Sequence, residues 1–102
     1  MRRGEVWWHE PPDRKRRPVL ILTRDEAIAR VLDVIAAPAT GVVRGLPTEV
    51  EIGREDGMPI GCALAVDNTL SAERAYLTER ITTLGPGKLD AVCAALRAAT
   101  SC

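Results

Sequence analysis

The first 17 residues carry Arg2, Arg3, Arg14, Lys15, Arg16 and Arg17 against Glu5, Glu10 and Asp13, and four of those cations are consecutive. A short basic run of this kind is either a solvated loop or a place to receive phosphate oxygens. His9, just before the run, is the only histidine. It is the one side chain that ordinarily exchanges a proton near neutral pH, so a two-histidine mechanism cannot be built within one chain. Cys62, Cys93 and Cys102 are odd in number, widely spaced and form no CxxC pair. That pattern argues against a disulfide scaffold and against a zinc site. Cys62 and Cys93 are expected to pack as small apolar residues. No His/Asp/Glu cluster with metal-ligand spacing stands out.

Such side chains need a scaffold, and 102 residues make one compact domain spanning 1–102. Its core is modest, and association of two copies would cover more apolar surface. Apolar residues are 46% of the chain, with no Phe, Tyr76 alone, and the adjacent pair Trp7 and Trp8. This argues against a site built from rows of stacking aromatics. Lys plus Arg and Asp plus Glu are 14 each, so bulk charge does not point to nucleic acid and only its distribution does. The charged start, the absence of a membrane-length apolar run and the cysteine pattern point to a reducing cytoplasm.

Residues 4–10 read as a first strand, with Val6 and Trp8 on one face and Glu5, Trp7 and His9 on the other. One tryptophan is expected in the core and the other at a dimer contact. The segment 11–17 is a loop, and 18–23 is a buried strand with Pro18 at its start. A short helix is expected over 25–31, and strands over 32–38, 48–52, about 61–67 and 77–84. After Gly85-Pro86-Gly87, the residues Leu89, Val92, Cys93 and Leu96 follow helical spacing and are expected to cover the sheet. The connections are too short for helical crossovers, so the strands are antiparallel. The result is a mainly β domain, a small curled sheet or barrel, with a C-terminal helix.

Three segments together resemble the MazF/PemK toxin family. They are RRGEVWW at 2–8, RRPVLILTRD at 16–25, and APATGVVRGLPTEVEI at 37–52. The strand ending in DNT at 67–69, the ERITTL strand and the terminal helix follow in the family's order. The resemblance implies an SH3-like barrel of the MazF/PemK/CcdB type, usually a homodimer. It also implies sequence-selective, metal-independent cleavage of single-stranded RNA, commonly messenger RNA, with no cofactor. The implied partner is a MazE-like antitoxin whose flexible acidic tail fills the RNA groove. The family's catalytic arginine and threonine fall on Arg17 and Thr40.

A guanidinium fork matches a phosphate and can stabilise charge developing on it. Proton transfer by Arg17 is harder to assign, because free arginine stays protonated. Arg14, Lys15, Arg16 and Arg44 are candidate phosphate contacts. His9 is a candidate at the edge of the groove. Asp67 and Asn68 either read base edges or simply make a turn. Two features depart from the family. The 11–16 loop is short beside many members, and Gly41-Val42-Val43 replaces a run richer in hydroxyls. Two other readings share the fold: a CcdB-like gyrase poison, and an inactive antitoxin-binding module.

Overall fold

The computed structural model describes residues 1–102. Seven strands run over Glu5–His9 (β1), Arg17–Ile21 (β2), Asp33–Thr40 (β3), Glu49–Ile52 (β4), Cys62–Ala65 (β5), Leu70–Glu73 (β6) and Leu77–Thr83 (β7). Two helices are Asp25–Ile28 (α1) and Pro86–Thr100 (α2), and single helical turns follow β4, β5 and β6. All strand pairs are antiparallel, in the order β4-β5-β3-β2-β1-β7, with β6 also on β3. The architecture is the expected one, a coiled antiparallel sheet with a C-terminal helix. It is not hydrogen-bonded into a closed ring.

β3 organises the sheet. One edge pairs with β2, while the other pairs first with β6 through Asp33–Ala36 and then with β5 through Ala39 and Thr40. β1 is coiled against β7 by two register shifts, between Val6 and Trp7 and between Trp8 and His9. Such bulges sharpen twist and let a small sheet curl. The end strands β4 and β7 are bridged by the turn after β4 rather than by a ladder. Thr82 Oγ1 donates to the Asp56 carbonyl at 2.8 Å, while Lys88 Nζ of α2 donates to the Glu51 carbonyl of β4 at 2.6 Å. Gly57 makes that approach possible. Its φ is +88°, and a Cβ there would sit 2.3 Å from Thr82 Oγ1.

Two apolar clusters fill the fold. The larger joins Val6, Leu20, Ile52, Leu64 and Val66 to Val92 and Ala95 of α2, with Leu89 and Leu96 partly buried against it. The smaller contains Val19, Ile21, Ile28, Val34 and Leu77. Cys62 is buried as expected, but Cys93 is only half-buried, with an Arg3 guanidinium nitrogen 3.5 Å from its sulfur. Neither tryptophan is fully buried. Trp7 packs on the smaller cluster and donates to Glu5 at 2.9 Å, while Trp8 carries the Arg16 guanidinium 3.9 Å from its ring centroid. The expectation of one core tryptophan is therefore corrected. The Trp7 N–H finds its partner in the buried Glu5 carboxylate, and the ring stays half-buried against the smaller cluster.

Three element boundaries also differ from the sequence reading. α1 covers only Asp25–Ile28, β3 continues through Thr40, and β6 is a strand the sequence pattern does not show. No helix is long and apolar enough to cross a membrane.

Candidate nucleic-acid site

Arg17 opens β2, and the proline after it holds its backbone extended. The β2–β3 register pairs Val19 with Pro38. Arg17 precedes this pair on β2 and Thr40 follows it on β3, and the two residues line the same clefts. On its other side Arg17 pairs with His9 of β1.

Arg17 and Thr40 stand between two clefts. The first, about 300 Å³, is lined also by Arg44, Leu46, Thr48, Glu49, Asp67 and Asn68. The second, about 310 Å³, is mostly apolar, with Trp8, Pro18, Met58, Pro59, Ile60 and Cys62 beside Arg16. The guanidinium of Arg17 is exposed and has no hydrogen bond or ion pair within the chain, and neither has that of Arg44. Both carboxylates of the polar cleft are engaged. Thr48 Oγ1 donates to Asp67 Oδ2 at 2.5 Å. Glu49 Oε1 accepts the backbone N–H of Arg44 at 2.9 Å and of Leu46 at 3.3 Å. The cleft therefore holds two guanidinium groups with no partner inside the chain, beside two carboxylates that already accept hydrogen bonds, so its donors are open to an anion although its formal charges balance. Thr40 Oγ1 accepts the Val42 N–H at 3.1 Å, so its own proton is free to donate.

Of the residues expected at the site, Arg17, Thr40, Arg44, Asp67 and Asn68 are brought together, and Arg16 reaches the second cleft. Arg16 also pairs with Glu10 at 3.5 Å. Arg14 and Lys15 are exposed on the β1–β2 connection and line neither cleft. His9, expected at the edge of the groove, is only 6% exposed and lines neither cleft. It is the buried neighbour of Arg17. Burial, then the charges of Arg14 and Arg17, hold its imidazole below the ordinary 6.5 against the weaker opposing pull of Asp13, so it is neutral at pH 7. Sequence reasoning missed Glu49 and Thr48. TEVEI shows Glu49 only as an outward position of an alternating strand. No group of three or more His, Cys, Asp or Glu side chains is clustered closely enough to hold a metal ion.

Residues 2–100 match the model of the PemK-like, MazF-like toxins of type II toxin–antitoxin systems. The chain belongs to this family. It is similar to a probable endoribonuclease, MazF5, of Mycobacterium tuberculosis, with 40% identity over 98% of this chain and 93% of that protein. Among solved structures, the Mycobacterium tuberculosis toxin MazF-mt6 superposes with a TM-score of 0.87 at 31% identity, covering 95% of this chain and 96% of that one. A MazF chain from a MazE–MazF complex of Deinococcus radiodurans superposes at 0.80 with 25% identity, over 96% of this chain and 92% of that one. This MazF-like toxin thus carries its unpaired arginine and free threonine hydroxyl on the fold of the endoribonuclease toxins.

Proposed function

We propose that this member of the endoribonuclease toxin family cuts single-stranded RNA without a metal, by attack of the ribose 2′-hydroxyl on the adjacent phosphorus. The O2′–P bond forms and the P–O5′ bond breaks. The proton leaving the 2′-oxygen is balanced by one gained at the 5′-oxygen, giving a cyclic phosphate and a 5′-hydroxyl end. Arg17 grips the non-bridging oxygens and stabilises the charge that grows on them. Thr40 donates its free proton to the same phosphate. Arg44 and Arg16 hold flanking phosphates, with Arg14 and Lys15 further out, and these contacts add affinity more than sequence choice. Asp67 and Asn68, in the helical turn after β5, face base edges. The observation that carries this reading is the unpaired Arg17 guanidinium lining the same cleft as the Thr40 hydroxyl and Arg44.

The same clefts suit the acidic tail of a MazE-like antitoxin, as the family's toxin–antitoxin pairing supports. The toxin acts as a homodimer in the cytoplasm. The test is cleavage of a long single-stranded RNA in excess chelator, with the ends mapped. Discrete cuts with 5′-hydroxyl ends are expected, and Arg17→Ala should lower the rate by roughly 100-fold or more, the scale for losing one transition-state donor. Undiminished cutting by Arg17→Ala would refute the assignment. Intact RNA together with gyrase-dependent DNA breaks would replace it with the protein-poison reading.

A further inference from the structure

The segment 41–47 brings Arg44 to the polar cleft, yet its apolar side chains stay largely in solvent. Val42 is 64% exposed, Val43 45% and Leu46 44%. No atom lies within 4 Å of where a Cβ would stand on Gly41 or Gly45. Polar contacts hold the segment instead. Thr40 Oγ1 takes the Val42 N–H at one end, and Glu49 Oε1 takes the N–H groups of Arg44 and Leu46 at the other. The Glu49 N–H in turn donates to the Leu46 carbonyl at 3.0 Å.

Glu49 is otherwise an odd residue to find here. A carboxylate lining a cleft built for phosphate repels the ligand. Spending one oxygen on two amide donors gives that charge a use, because hydrogen bonds to an ionised acceptor are the stronger kind. They also order a segment that would otherwise leave Arg44 to wander, and ordering before binding saves that cost when RNA arrives.

We propose that Glu49 is a positioning residue for RNA binding: its carboxylate clamps the 44–46 backbone and so fixes the Arg44 guanidinium over the cleft. The inference rests on the RNA-cleaving reading above for its functional consequence, but the clamp itself is measurable without RNA. Glu49 acts through Arg44, so its loss weakens binding and spares the chemical step at Arg17 and Thr40.

The test compares Glu49→Ala, Glu49→Gln, Arg44→Ala and the Glu49→Ala/Arg44→Ala double variant of the full chain. Amide hydrogen exchange should speed up at residues 44 and 46 in Glu49→Ala, with the β3 amides unchanged. On single-stranded RNA, KM should rise roughly tenfold while kcat stays within about twofold, the pattern for losing a contact made equally in the ground and transition states. Glu49→Gln, whose amide oxygen still accepts both N–H groups, should recover most of the loss. In the Arg44→Ala background, Glu49→Ala should add nothing further. Unchanged exchange at 44 and 46 would overturn the clamp whatever the RNA results. Additive effects of the two alanines, or a Gln variant as poor as Ala, would overturn the role through Arg44. A parent protein that cuts no RNA would sink the functional reading instead, leaving the exchange result to decide the clamp.

Discussion

His9 and Glu5 are both buried on β1, and they make the toxin sensitive to acid in two separate ranges. The folded-state pKa of His9 lies below 6.5, so the unfolded chain binds its proton more readily. The stability this gives is fully present above about pH 6.5 and is lost as pH falls through the lower folded value. Glu5 behaves similarly further down. Burial pushes its carboxyl up, but the Trp7 indole, the Arg2 backbone N–H and the Arg80 guanidinium together hold it below 4.5. Its contribution is therefore present above about pH 4.5 and lost below. Denaturant midpoints measured from pH 8 to 4 should fall first below about 6.5, and His9→Gln should flatten that first decline. Arg17 and Thr40 were legible in the sequence because a family pattern marks them, whereas Glu49 was not. Its value comes from two backbone amides whose direction only the folded loop sets.

Among the elements, the bridge between β4 and β7 depends most on a single backbone conformation. Gly57→Ala combines a positive φ with a Cβ driven into Thr82 Oγ1. A loss of roughly 2 kcal/mol or more in urea unfolding is expected, adding left-handed strain to the steric displacement. Strands with clean apolar runs or alternation, β1, β2, β4 and β7, were visible in the sequence to within a residue or two. β6 was not, because Leu70–Glu73 lies in a stretch, DNTLSAERAY, that reads as turn chemistry. What makes it a strand is the exposed edge of β3 beside it, a tertiary cause that no local pattern carries. The same holds for the last two residues of β3, which are extended because β5 pairs with them.

At the scale of the whole molecule, balanced charge hides a local excess of unpaired arginine, which is why composition alone said little about partners. The domain also leaves large apolar side chains in water, among them Leu32 at 80%, Ile60 at 66% and Ile35 at 56% exposed. Sedimentation of the purified toxin should show a dimer, and its thermal midpoint should rise with protein concentration because association stabilises only the folded form. A concentration-independent midpoint and a monomeric mass would remove the homodimer.

The placement of β1 between β2 and β7 joins two distant parts of the chain in one sheet. The strand that backs Arg17 with His9 keeps one unpaired edge until residues 77–83, near the other end of the chain, are available to it. Contacts of such long sequence separation form late, since the intervening chain must close before they repay its entropy. Until residues 77–83 reach it, β1 therefore has one open edge, and the strand beside Arg17 is paired on one side only.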